Sequence, residues 1–250
     1  MLKKLIPSLL TVLLLTVFIA CSRTDPTPES LVLLSTHSLP LNEPSGLSVA
    51  NTSGQLLSVS DEDNRIYRIN TEGALLATLT YTGDDLEGVT QDPLSRTIWV
   101  VEEKERVVVE LDVNGNEQKR ISIVDVIPAE TDNFLEGISY HNGTLYIVTE
   151  KNPKQLLLLD VATEEITDMY NLDFASDLSG ISYDSSGPYL WILSDESKTV
   201  SRCNLQGEVD KSFQLDFEKG EGVAADPATG RLFIVNDASA ELYVFELPPN

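Results

Sequence analysis

The fold class this chain predicts is all-β: a five-bladed β-propeller of four-stranded blades, with the last blade closed by the N-terminal strand. Three observations predict it. A glycine motif recurs five times at near-constant spacing, each recurrence is followed by short β-rich runs between turn signals, and no stretch holds a 3.6-residue period.

The motif comes first. Glu43-Pro44-Ser45-Gly46-Leu47-Ser48 recurs as Leu86-Glu87-Gly88-Val89-Thr90, Leu135-Glu136-Gly137-Ile138-Ser139, Leu178-Ser179-Gly180-Ile181-Ser182 and Gly220-Glu221-Gly222-Val223-Ala224. The aligned glycines lie 42, 49, 43 and 42 residues apart. The longer second interval predicts an enlarged loop over 127–133. As the innermost strand of a blade, the motif needs glycine where backbones converge on the axis.

The rest of each unit repeats too. A turn signal such as Asp92-Pro93, Asn142-Gly143 or Asp226-Pro227 precedes a second apolar run, as at Ile98 to Val101 or Leu232 to Val235. An acid closes that run: Asp61, Glu103, Glu150, Asp195 or Asp237. A third run follows, then a Gly turn (Gly73, Gly115, Gly207) and a fourth. Four short strands every forty-odd residues is a propeller blade. The last unit stops after its third run, while Leu31 to Leu39 has no blade of its own. That segment is expected to supply the missing outer strand and remove the exposed edge at the join. Trp99, Trp191, Tyr146 and Tyr243 read as packing between blades.

Residues 1–20 read as a lipoprotein signal peptide, 21–30 as a lipidated tether and 31–250 as the propeller. Lys3 and Lys4 precede an apolar stretch from Leu5 to Ile19, too short for a comfortable span, and Ala20-Cys21 follows it. This resembles the lipobox of bacterial lipoproteins. The resemblance implies cleavage before Cys21, diacylglycerol and palmitate-type lipid at that residue, and anchoring to a membrane leaflet. Ser22 in the next position points to the outer membrane if the cell is Gram-negative. The only other cysteine, Cys203, lies in a strand-like run and reads as a buried, inert thiol.

The chain carries 17 Lys+Arg against 40 Asp+Glu, a formal charge of −23. Nucleic-acid phosphates would be repelled, so the partners this charge favours are cations or a basic protein; a purely solvating surface is the other reading. Propeller topology sends the first strand away from one face and returns the second to it. The residue before each glycine and the acid after the second strand therefore share a face with about half of all the acids. Before the glycine stand Glu87, Glu136 and Glu221 in three blades, but Ser45 and Ser179 in two. Hard oxygen ligands without His or Cys suit Ca²⁺. The expected metal site is Glu87, Glu136 and Glu221, helped by Glu103, Glu150 and Asp237. Against it stand local ion pairs from Arg65, Arg106, Lys154 and Lys198, which follow the second-strand acids closely. His37 and His141 are both placed away from that mouth.

Glu43-Pro44-Ser45-Gly46-Leu47, Asp85-Leu86-Glu87-Gly88-Val89 and Leu135-Glu136-Gly137-Ile138 resemble the SdiA-regulated-domain family of bacterial propellers, over roughly Ser35 to Leu247. The resemblance implies an envelope propeller, with some relatives tied to calcium response or labelled phytase-like. It carries over no catalytic residue. Three functions stay open: a binding module for a cation or basic partner, a metal-dependent hydrolase of phosphate esters, esters or lactones, and a scaffold in an envelope complex.

Overall fold

The computed structural model describes residues 29–127 and 134–249. The residues read as a signal peptide, Cys21, most of the expected tether and nearly all of the expected enlarged loop lie outside those residues. Within them the protein has strands and no helix.

Two strands open the chain, β1 (Glu29–Ser30) and β2 (Leu33–Ser38). The first blade is β3 (Pro44–Val49), β4 (Gln55–Ser60), β5 (Arg65–Asn70) and β6 (Leu75–Thr82). The second is β7 (Leu86–Gln91), β8 (Ile98–Glu102), β9 (Val107–Leu111) and β10 (Glu117–Ser122). The third is β11 (Leu135–His141), β12 (Thr144–Thr149), β13 (Gln155–Asp160) and β14 (Glu165–Asn171). The fourth is β15 (Gly180–Asp184), β16 (Tyr189–Ser194), β17 (Thr199–Cys203) and β18 (Val209–Gln214). The fifth contains β19 (Gly220–Asp226), β20 (Arg231–Asn236) and β21 (Glu241–Glu246), and β2 completes it.

That last pairing is the predicted closure. β2 runs antiparallel to β21 in the register Leu33↔Phe245 to Ser38↔Glu241. Strands from the two ends of the described residues thus share one sheet. β1 adds a feature the sequence did not suggest: Glu29 and Ser30, the last two residues of the expected tether, pair in parallel with β18, Glu29 opposite Phe213.

The second strand of each blade is buried along nearly its whole length because both its faces are covered by neighbouring blades. All five residues of β8 are buried. Outer strands cover only one face and read as alternation, as in β10. The apolar side chains gather into five clusters at the blade junctions. One joins Trp99, Val101 and Val108 of the second blade to Leu135, Ile138 and Ile147 of the third. Trp191 belongs to another, its Nε1 donating to Asp184 Oδ2 at 3.1 Å. The motif glycines make close approach possible. A Cβ on Gly88 would lie 2.5 Å from the carbonyl oxygen of Glu136, and one on Gly222 would lie 2.6 Å from the amide nitrogen of Leu47, where the ring closes.

An acidic cavity at the axial mouth

Each inner strand starts at one end of the axis, and each second strand returns there. The residue before the glycine and the acid after the second strand therefore meet in space. They line a cavity of about 240 Å³ whose walls include Glu43, Asp61, Glu87, Glu136, Glu150, Asp177, Asp195, Glu196, Glu221 and Asp237, with Lys151 and Lys219 as its cations. Five of the six predicted ligands, Glu87, Glu136, Glu150, Glu221 and Asp237, are in that wall. The sixth, Glu103, stands beside them, as part of two trios of carboxylates. Asp85, Glu87 and Glu103 form one, and Glu103, Glu136 and Glu150 the other, with ligand oxygens within 4.8 Å of one another in each. Glu221 and Asp237 lie in the wall but in neither trio.

Two buried glutamates show what is unusual here. Glu102 is 2 % exposed and well satisfied. It accepts from Tyr81 Oη at 2.7 Å and from the Asp84 amide at 3.2 Å, and it pairs with Arg120. Glu136 is 8 % exposed and, among the described residues, has neither a hydrogen bond nor an ion pair. Its carboxyl faces the cavity and other carboxylates.

Electrostatics follow from that crowding. Burial, then the neighbouring charges of Glu87, Glu103, Glu221 and Glu150, pushes the Glu136 carboxyl well above the usual range. Burial with Glu103 and Asp61 does the same to Glu87. Burial and Asp195 lift Glu221 to about 8. Glu103 is likewise lifted to about 8, by burial and by its hydrogen bond to Asp85. For Asp85 burial works against ionisation, yet its bonds with Glu103 and Lys104 hold it below the usual carboxylate range. Burial, with Glu43 and Asp237 nearby, raises Asp61 to about 6.

Among the described residues, three lysines that sequence reasoning did not single out pair with acids of this rim. Lys104 pairs with Asp85 at 2.6 Å, and Lys151 with Glu150 and Glu196, each at 2.9 Å. Lys219 lies 3.3 Å from Asp195 and 4.0 Å from Glu221. Arg106 stacks over Phe134, and Lys198 pairs with Glu218. The signal was present in the Glu103-Lys104 and Glu150-Lys151 dipeptides, where the cation follows the acid directly.

Ser45 and Ser179 turn out to have an architectural task. Ser45 Oγ donates to the Leu86 carbonyl at 3.1 Å and Ser179 Oγ to the Gly220 carbonyl at 2.8 Å, each tying its blade to the next. The Glu/Ser difference that pointed to a ligand set is thus partly a difference in how blades are tied. His141 sits at the opposite end of the axis, its ring stacked on Tyr183 at 3.7 Å, and His37 lies on β2. Cys203 is fully buried, and burial raises its thiol's pKa far above the usual range, as an inert thiol requires.

Among solved structures, glutaminyl cyclase of Myxococcus xanthus is similar over 88 % of this chain and 98 % of its own, at 12 % identity and a TM-score of 0.70. The WD40 β-propeller domain of Doa1 is similar over 81 % of this chain and 63 % of its own, at 13 % identity and a TM-score of 0.53. At such identities the likeness is one of fold. Sequence goes further: the family model described as SdiA-regulated matches residues 35–246, all five glycine units, and the chain belongs to the SdiA-regulated family.

Proposed function

We propose that this protein is an envelope lipoprotein, anchored through Cys21, whose propeller is a binding module for a divalent cation at its acidic mouth, with Ca²⁺ the best match. The observation that carries the reading is Glu136, buried without a partner in a wall of carboxylates. A buried acid in that position must stay protonated or meet a positive charge. All the candidate ligands are oxygen donors, the set a hard cation of six to eight ligands takes.

Calorimetry and thermal unfolding with Ca²⁺ at pH 8 test the cation. Saturable binding and a raised Tm are expected, and silence in both experiments rejects it in favour of a basic protein partner or a solvated rim. For the anchor, Cys21→Ser is expected to move the protein from the membrane fraction to the soluble one. Retention in the membrane fraction would contradict lipidation at that residue.

A second reading, a metal-dependent hydrolase, is favoured by the raised proton affinity of Glu87 and Glu136. A protonated carboxyl beside a metal could act as a general acid. A screen with Ca²⁺ against phosphate esters, aryl esters, lactones and peptides with N-terminal glutamine separates enzyme from binder. Pull-down from envelopes reports on a scaffold role.

A further inference from the structure

We propose that the mouth holds two divalent cations side by side, bridged by Glu103: one on Asp85, Glu87 and Glu103, the other on Glu103, Glu136 and Glu150. This rests on the cation-binding reading above. It moves the site off the axis, onto the junction between the second and third blades, and away from Glu221 and Asp237.

Geometry selects the junction. Two ligands of one Ca²⁺ can be no more than about 5 Å apart, twice the Ca–O distance. Both trios meet that limit, their oxygens lying within 4.8 Å of one another, and Glu103 belongs to both. The repeat explains the grouping. The second and third blades each offer the acid before the glycine and the acid after the second strand, Glu87 with Glu103 and Glu136 with Glu150. They are adjacent, so four such acids converge. Asp85, in the turn leading into β7, adds a fifth. The fifth blade has the same pair, Glu221 with Asp237, but its neighbours on either side carry Ser45 and Ser179.

Charge selects the same half of the rim. On the Glu221 side the ammonium of Lys219 already reaches Asp195 and Glu221. On the Glu103 side, Lys104 and Lys151 pair with the outer acids Asp85 and Glu150. Glu136, between them, is 92 % buried, has no partner and is directed into the cavity. With Lys104 swung out, the ammonium of Lys151 and two divalent ions balance the five carboxylates once all are ionised, whereas with both lysines in place a single ion nearly does, so the count of ions is decided by the two trios and not by charge alone. Lys104 is 68 % exposed and can swing away from Asp85 when an ion takes its place.

The test is metal stoichiometry on the full-length chain purified in detergent, by equilibrium dialysis against Ca²⁺ at pH 8 with elemental analysis. Two ions per chain are expected. Glu103→Gln should weaken both at least tenfold, whereas Glu87→Gln and Glu136→Gln should each leave one. Circular dichroism of each variant checks that the sheet is intact, and should Glu103→Gln not fold, the Glu87 and Glu136 variants still count the sites singly. One ion per chain overturns the bridged centre. So does uptake that Glu221→Gln abolishes and Glu103→Gln leaves untouched, which would restore a single axial ion and keep the cation reading. No uptake by the parent protein removes both.

Discussion

Glu136 and Glu102 differ in what surrounds them, not in chemistry or depth, and they should respond oppositely to the same substitution. Glu136→Gln removes a carboxyl whose ionisation is opposed by burial and by four neighbouring acids. It should raise the Tm of the metal-free protein at pH 8 by about 2 °C or more, since ~1 kcal/mol moves Tm by ~2–4 °C in a domain of this size. Glu102→Gln weakens the pair with Arg120 and should lower Tm under the same conditions. Thermal melts of the two variants check the contrast, and a fall in both would mean that Glu136 is stabilising the fold. The sequence marks Glu136 by its place before the motif glycine, but it does not say that Glu102 is neutralised and Glu136 is not. What separates them is that Arg120, 18 residues along the chain from Glu102, folds back to meet that carboxylate, and no local pattern reports it.

At the level of strands and blades, most of the fold was legible. The five glycine units, the apolar second strands and the N-terminal closure all follow from local pattern plus the need to bury both faces of every blade. Gly88→Ala tests the close approach directly. With 2.5 Å between the new Cβ and the Glu136 carbonyl, the junction must open, at a cost of about 1–3 kcal/mol or more. Urea denaturation should show a lower midpoint. Removing residues through Ser38 deletes the closing strand and exposes the edge of β21. The truncated protein is expected to aggregate or elute as oligomers in size-exclusion chromatography, because an unpaired edge invites pairing with another chain. The parallel pairing of β1 was not legible, since two residues carry no periodicity.

For the whole molecule, the crowded mouth sets the pH response. Glu103 and Glu221 have folded-state values near 8 against an ordinary 4.5, and Asp61 about 6 against 3.8. Between those limits the folded protein binds more protons than the unfolded chain, so stability falls as pH rises. The Tm without metal should therefore decline from about pH 5 to pH 8. A cation that binds only the folded state adds stability by mass action, most where the carboxylates are ionised. Added Ca²⁺ should flatten the decline, and EDTA should restore it. A metal-free Tm that rises over that pH range would contradict the electrostatic picture of the mouth.

The sequence by itself determined the repeat, the blade number, the strand that closes the ring and the face on which the acids gather. Each of these depends on period and order, which are properties of the chain. Tertiary structure decided which acids touch. It separated Glu103, Glu136 and Glu150 from Glu221 and Asp237, brought Lys219 to one half of the rim, and gave Ser45 and Ser179 their carbonyl partners in the next blade. Those pairings join residues far apart along the chain, and a few ångströms of approach, which only the packed ring fixes, determine whether two carboxylates share a ligand, a proton or nothing.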